Sequence, residues 1–252
     1  YTAGTIARQH VELKSWQARL AAIDPTGWPV AQQVDYQLVR AEMNGLDFDI
    51  RVLQPWARDP AFYTSIWTEQ SDTPAHEGPT HHALVELWTY SFPLSRADEA
   101  KLAKELRTIP PLLTQARLNL TGNAHDLWIT GIGTMKKQVT DLADVDKKAA
   151  KAGPELKRAI VAATKATAEF VSWLEQQAPS KTGPSGVGKE NYSWSLRNVH
   201  LVPLTWDEEV MLLKSELARA HASLRLEEQR NRGLPELTAI SSPEEYQRRA
   251  NE

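Results

Sequence analysis

The sequence predicts an all-α protein, an irregular multi-helix domain in which loops rich in proline and aromatic residues connect amphipathic helices. Two observations lead to this prediction. Apolar residues recur at helical spacing along most of the chain, and residues that start or stop helices bound these periodic segments. Of the 252 residues, 41% are hydrophobic and 24% charged, which is ordinary for a chain that buries a core. We therefore expect at least six helices and little strand.

Two helices are predicted in the first 54 residues. The first covers residues 3–23 and is stopped by the Asp-Pro-Thr-Gly sequence at 24–27. The second has apolar residues at helical spacing from Val30 to Ile50 and runs to Gln54, directly before Pro55.

The middle of the chain is predicted to begin with irregular structure and to continue as a series of helices. Residues 55–93 contain many prolines and aromatics without a clear period. Ser95 is a helix start signal, and Pro110-Pro111 is expected to break the helix that follows. Further helices are then predicted at about 112–120, 125–151 and 154–177.

The last third of the chain is predicted to contain a loop and two well-marked helix starts. Residues 179–189 hold three glycines and two prolines, so we expect a flexible, exposed loop. Thr205 and Glu208 form a capping box for a helix that ends near Gly233, and Ser242 marks another start. Because that last helix has little room before residue 252, the chain is expected to continue in a longer protein.

Composition excludes several classes of partner and chemistry. The net charge is −3, from 29 basic and 32 acidic residues, so no basic field would attract nucleic acid or an anionic membrane. No apolar run approaches the ~20 residues that a membrane span needs. The chain has no cysteine, which excludes disulfides and thiolate chemistry and leaves periplasm and cytoplasm both open as compartments.

The glycines at 183–188, followed by Lys189, have the spacing of a phosphate-binding loop. The match fails at Glu190, which stands where a Ser or Thr should hold magnesium, and the preceding segment is predicted to be a helix rather than a strand. A loop without nucleotide is the favoured interpretation.

The sequence offers no complete catalytic or metal site. The nearest histidine cluster is His76, Glu77, His81 and His82, with Glu86 beyond it, and no two of its histidines have the spacing of zinc ligands on one helix. We therefore expect no catalytic and no metal-binding residue in this chain, although a zinc site at this cluster stays open as an alternative.

Substrate-binding candidates lie directly after the glycine-rich loop. Lys189, Tyr192, Trp194 and Arg197 combine two cations with two large aromatics, a set that suits the carboxylate and the apolar part of a peptide. The alternative is a short helix that buries both rings for packing.

Several blocks of the sequence resemble a bacterial family known as domain of unknown function 885. They lie at residues 35–48 (DYQLVRAEMNGLDF), 51–63 (RVLQPWARDPAFY), 109–113, 116–120, 188–194 and 216–219.

The resemblance implies a larger protein with a second, catalytic half. Members of this family are typically about twice as long as this chain and resemble helical zinc metallopeptidases, with the zinc-binding helix in the C-terminal half. Residues 1–252 are then expected to form a single α-helical N-terminal region that is not catalytic itself and shapes a substrate cleft. Zinc would be the cofactor of the C-terminal half, which would be the partner of this region, and a peptide would be the substrate. The alternatives are a free-standing helical binding module and an enzyme that uses the His76, His81 and His82 cluster.

Overall fold

The computed structural model describes residues 2–70, 81, 83–235 and 238–251, and these residues are mostly helical. The chain forms two compact units, Tyr1–Thr205 and Trp206–Glu252. Within the described ranges the only sheet is a parallel pair of two-residue strands. The all-α prediction is confirmed.

The first unit begins with two long helices, α1 (Ala3–Ala21) and α2 (Val30–Phe48). Thr2 caps α1, where its hydroxyl accepts a hydrogen bond from the amide of Thr5. The chain continues from α2 as one wider π-helical turn, Asp49–Leu53. Gln54 then adopts a left-handed conformation (φ 45°) and Pro55 follows, so the helical run ends where the sequence predicts.

Short elements follow, in agreement with the irregular structure predicted for this region. They are α3 (Pro55–Arg58), a 3-10 helix (Pro60–Tyr63), β1 (Ile66–Trp67), β2 (Val85–Glu86) and a second 3-10 helix (Leu87–Thr89).

Four helices then build the main core. They are α4 (Arg96–Leu106), α5 (Ile109–Asn119), α6 (His125–Lys148) and α7 (Pro154–Gln177). The prediction that Pro110-Pro111 would precede α5 was wrong, because both prolines lie inside its first turn. Amide groups in that turn have no helical partner, so proline is tolerated there.

The α4–α7 bundle is packed around large apolar side chains that are almost completely buried. These include Leu102, Leu106, Ile109, Trp128, Met135, Leu142, Ile160, Phe170 and Leu174. The Trp128 indole also donates a hydrogen bond to the carbonyl oxygen of Leu174 (2.9 Å), which joins α6 to α7.

One polar side chain inside this bundle connects it to the irregular segment. The amide oxygen of Gln138 on α6 accepts hydrogen bonds from the backbone amides of Ser65 (2.6 Å) and Ile66 (3.2 Å). Its amide nitrogen donates to the hydroxyl of Thr167 on α7 (3.2 Å). Gln138 is 1% exposed, so it replaces water for two buried amides.

The first unit closes with a 3-10 turn (Ala178–Ser180), a loop, and α8 (Lys189–Asn198). Asn123 fixes the start of the loop, because its side-chain oxygen accepts from the amides of Thr182 (2.6 Å) and Gly183 (3.0 Å). A side chain at Gly183 would overlap the carbonyl oxygen of Asn123. The flexibility of this loop stays a prediction.

The second unit contains α9 (Trp206–Arg230) and α10 (Pro243–Ala250). Ser242 caps α10 as predicted, with its hydroxyl accepting from the amide of Glu245. Neither helix has a buried residue. In the part of the chain that the structure describes, no helix combines the length and the apolar character of a membrane span.

Candidate functional site

A buried carboxylate joins α1 to α2. Asp47 is 3% exposed, and its Oδ1 lies 2.5 Å from Lys14 Nζ and 2.9 Å from His10 Nε2. Its Oδ2 accepts a hydrogen bond from Arg51 Nε at 2.7 Å, one helical turn further along. A buried carboxylate is stable only when it is paired in this way.

The regular spacing of α1 explains why these groups meet. His10, Lys14, Gln17 and Ala21 lie at positions i, i+4, i+7 and i+11, which places them on one face of the helix. The Gln17 amide nitrogen on this face bonds to α2 at the carbonyl oxygen of Met43 and the side chain of Asn44 (both 3.3 Å). Polar groups therefore contribute to the contact between the two helices.

The surroundings keep Asp47 ionised. Burial alone would raise the pKa of Asp47, but hydrogen bonds from Lys14, His10 and Arg51 outweigh burial and lower the pKa to about 2. Asp47 is therefore a fixed negative charge at neutral pH, and it orients three basic side chains.

A pocket of about 280 Å³ opens beside this cluster, between α1, α2 and α8. Its lining combines cationic, amide and apolar side chains: Lys14, Gln17, Leu20 and Ala21 from α1; Tyr36, Arg40, Met43, Asn44 and Asp47 from α2; and Trp194 from α8. Among these described lining residues Asp47 is the only carboxylate, whereas Lys14 and Arg40 are both cations. The pocket is therefore suited to an anionic group.

Arg40 is the least constrained of the cations at the pocket. Its side chain is exposed, and it makes no hydrogen bond or ion pair with any residue that the structure describes. Lys14, in contrast, is bound to Asp47 and donates to the Gln17 side chain (3.2 Å).

Trp194 is the one predicted substrate-binding residue that lines the pocket. Its ring stacks on Phe48 of α2, with the ring centres 5.7 Å apart and the planes 7° from parallel. The Arg51 guanidinium lies 5.5 Å from the centre of the Trp194 ring. Trp194 is half-buried, so it serves both the packing of α8 on α2 and the wall of the pocket.

The other three predicted residues lie outside the pocket lining. Lys189, Tyr192 and Arg197 are exposed, and Tyr192 retains 37% of its surface. Side chains that are two positions apart on a helix point in directions about 200° apart around the helix axis. Tyr192 and Trp194 therefore cannot line the same wall of the pocket. The structure therefore brings Trp194 into the pocket without its three neighbours in sequence.

The glycine-rich loop is held to α3 and α6 by hydrogen bonds. The carbonyl oxygens of Pro184 and Ser185 accept from the Arg58 guanidinium (3.3 and 2.8 Å), which joins the loop to α3. The Ser185 hydroxyl accepts from the amides of Asp126 and Leu127, in the first turn of α6. The serine of this loop therefore caps a helix.

His81 belongs to the histidine cluster considered for zinc, and it is 4% exposed. Its Nδ1 accepts from the amide of Ala83 (3.2 Å), so its Nε2 carries the hydrogen and donates to the carbonyl oxygen of Thr64 (3.0 Å). His76, Glu77 and His82 lie outside the described residues. Within the described ranges no three His, Asp or Glu side chains are grouped as metal ligands would be.

In the second unit, α9 carries apolar side chains at helical spacing. Val210, Leu213, Leu217 and Leu224 recur at spacings of three, four and seven residues and so lie on one face of the helix. The three leucines are each more than half exposed. A stripe of this kind is typical of a helix that packs against another surface.

Comparison with known proteins identifies the family. The family described as "Bacterial protein of unknown function (DUF885)" matches residues 1–248, which is nearly the whole chain. The chain belongs to the DUF885 family. No curated protein and no solved structure matches it.

In this DUF885 chain, six of the ten residues that line the pocket lie in the blocks that carry the family resemblance. Its five residues from α2 all lie in the block 35–48, and Trp194 lies in the block 188–194. Reasoning from the sequence missed Lys14, Arg40 and Asp47 as site residues. The sequence did contain one indication, because Arg40 and Asp47 lie in the block 35–48, which resembles the DUF885 family.

Proposed function

We propose that this DUF885 chain is the non-catalytic helical part of a zinc-dependent peptidase-like protein and that it shapes part of the substrate cleft. The pocket between α1, α2 and α8 is the observation that carries the proposal. It combines two cations with apolar and aromatic side chains at a small concave site, as a peptide-binding subsite requires.

The chemistry of the described residues agrees with a supporting role. Asp47, the acid that lines the pocket, is held ionised by three basic neighbours, so it is poorly placed to exchange protons at neutral pH. The described histidine of the candidate zinc cluster, His81, uses both ring nitrogens for backbone hydrogen bonds. In this proposal the metal and the catalytic base belong to a separate catalytic half.

The apolar stripe of α9 supports the existence of such a partner. Leu213, Leu217 and Leu224 present apolar surface on one side of the helix, and this surface costs free energy as long as water covers it. A catalytic half that packs on this face would bury it, and α9 would then belong to the interface between the halves.

The full-length product of the gene that encodes this chain tests the proposal. We expect that product to hold about one zinc ion per molecule by elemental analysis after dialysis and to hydrolyse peptides. The 252-residue chain alone should do neither. A full-length product without zinc and without peptidase activity would contradict the proposal.

Two other outcomes would favour the alternative functions. A native gene product that is no longer than this chain, contains no metal and binds peptides would favour a free-standing binding module. One zinc per chain on the 252 residues alone, lost on His81→Ala, would favour an enzyme that uses the histidine cluster.

A pair of tryptophan variants tests the cleft assignment itself. In the full-length protein, Trp194→Leu should raise KM for peptides several-fold and change kcat little, because it alters binding rather than the reacting groups. Trp88→Leu is the matched control, since Trp88 is 41% exposed and does not line the pocket. If the two variants have the same KM and kcat, Trp194 does not contribute to the substrate cleft.

A further inference from the structure

We propose that the pocket between α1, α2 and α8 binds a carboxylate group of a peptide, with Arg40 as the main anion-binding residue and Lys14 as the second. This inference deepens the proposed function. It rests on that function for the assumption that the ligand is a peptide. It assigns a chemical class of ligand to the site and a role to two residues.

The charges at the pocket do not cancel. Asp47 contributes one negative charge and is already bonded to Lys14 and Arg51, which are two positive charges. Arg40 adds a third positive charge on the same side of α2 and has no acidic partner among the described residues. The cluster is therefore net positive without counting His10, and a bound carboxylate would reduce this excess.

The hydrogen-bond donors that remain unused at the pocket belong to the cationic side chains of Arg40 and Lys14, not to the amide side chains. The Gln17 amide nitrogen is taken by Met43 and Asn44, and the Asn44 amide nitrogen donates to the carbonyl oxygen of Asn198 at 3.1 Å. Arg40 keeps the planar fork of donors that matches the two oxygens of a carboxylate, and Lys14 keeps one N–H beyond those used for Asp47 and Gln17. A carboxylate is the group that this set of donors fits best.

The remaining walls and the size of the pocket favour the end of a peptide over a larger ligand. Leu20, Ala21, Met43 and Trp194 supply apolar surface next to the cations, which suits a side chain adjacent to the carboxylate. The volume of about 280 Å³ is slightly below the roughly 300–1,000 Å³ of pockets that enclose a whole drug-sized molecule. One terminal residue of a peptide is thus the appropriate occupant.

Isothermal titration calorimetry with the 252-residue chain tests the inference. The probes are the tripeptide Ala-Ala-Leu with a free C-terminus, the same peptide amidated, amidated Ala-Ala-Glu, and inorganic phosphate. The free acid should bind at least about tenfold more tightly than its amide, since only the acid can form the charge-assisted bidentate contact. Amidated Ala-Ala-Glu binding as tightly as the free acid would support the inference with a side-chain carboxylate as the ligand.

A charge variant and a matched control locate the binding. Arg40→Gln should reduce the affinity for the free acid to the level of the amide. Arg8→Gln should leave it unchanged, because Arg8 is an exposed cation on the other side of α1. Arg40 has no partner within the described residues, so its replacement should not alter the melting temperature.

Several results would overturn the inference. They are equal affinity for acid and amide, no binding of either, phosphate binding as tightly as the peptide acid, or an Arg40→Gln variant that binds like the wild type. Different results would refute the proposed function. A full-length protein without zinc or peptidase activity refutes the peptidase-like role, while carboxylate binding by Arg40 would still stand.

Discussion

The α4–α7 bundle and the layer formed by α1, α2 and α8 are held together in different ways. The bundle surrounds apolar side chains such as Phe170 and Leu102, which have no exposed surface. The layer is joined in part through the ionised Asp47 and leaves apolar residues such as Val11 (73%) and Val30 (75%) in water. The same chain thus contains one well-packed region and one incompletely packed region.

The difference in packing suggests that the bundle mainly provides stability, whereas the layer of α1, α2 and α8 provides the site for ligand recognition. Close packing leaves little room for a ligand, so the bundle contributes mainly rigidity. A joint made of charged groups cannot close completely, because the cations keep part of their surface hydrated. The pocket occurs in the layer for this reason.

Phe170→Ala should have the largest effect on stability, because it removes a fully buried ring from the bundle. We expect a loss of about 3–5 kcal/mol in the free energy of unfolding, measured by urea denaturation. Val161→Ala is the control on the same helix, since Val161 is 63% exposed and its truncation should cost little. Similar losses for the two variants would show that the bundle is not the main source of stability.

Asp47→Asn should have an intermediate effect. The variant removes the charge that holds Lys14, His10 and Arg51, but these side chains are partly exposed and can be rehydrated. We therefore expect a loss of about 1–3 kcal/mol rather than the larger cost of a fully buried pair. Asp146→Asn, which breaks only the exposed contact with Lys157, is the control and should cost less than about 1 kcal/mol.

Two acids at the end of α2 should give opposite pH dependences. Burial raises the pKa of Asp49 to about 6 from 3.8, so its contribution to stability is present below about pH 4 and is lost as the pH rises through about 6. The pKa of Asp47 is lowered to about 2, so its contribution is present above about pH 4 and is lost as the pH falls toward 2.

Urea denaturation of the two variants across this pH range separates the acids. Asp49→Asn should remove the decline in stability between about pH 4 and pH 6, which is on the order of 1 kcal/mol because partial exposure screens the charge. Asp47→Asn should leave that decline in place. A wild-type protein with stability independent of pH over this range would contradict the burial assigned to Asp49.

Leu217→Ser in α9 should have the smallest effect on the chain alone. Leu217 is 58% exposed, so its replacement should change the free energy of unfolding by less than about 0.5 kcal/mol. In the full-length protein the same change should be destabilising if the stripe packs against a catalytic half, as we propose. A thermal shift assay on both forms measures the difference, and Ser215→Ala on the opposite side of α9 is the control.

Local signals in the sequence were sufficient to predict much of the fold. Pro154 in a first turn, the cap at Ser242 and the turn residues after α1 act within a few positions, so they can be recognised without the tertiary structure. The wrong start of α5 arose because two consecutive prolines were taken as a break, although the first turn of a helix accepts them.

The candidate site depends on contacts that local patterns cannot give. His10 and Lys14 lie more than 30 positions before Asp47, and nothing in their spacing indicates which helix they face. The separation of Tyr192 from Trp194 was predictable, because two residues that are two positions apart on a helix face different ways. That α8 would pack through Trp194 on Phe48 required the three-dimensional arrangement.

The Gln138 side chain has a consequence for hydrogen exchange. The amides of Ser65 and Ile66 belong to an irregular segment with a two-residue strand, where rapid exchange would be expected from the secondary structure alone. Both amides are bonded to Gln138, and that residue is also bonded to Thr167 in the middle of α7. Their deuterium uptake should therefore follow the slow opening of the helical core, and Gln138→Leu should release these two amides to fast exchange before it affects the helices.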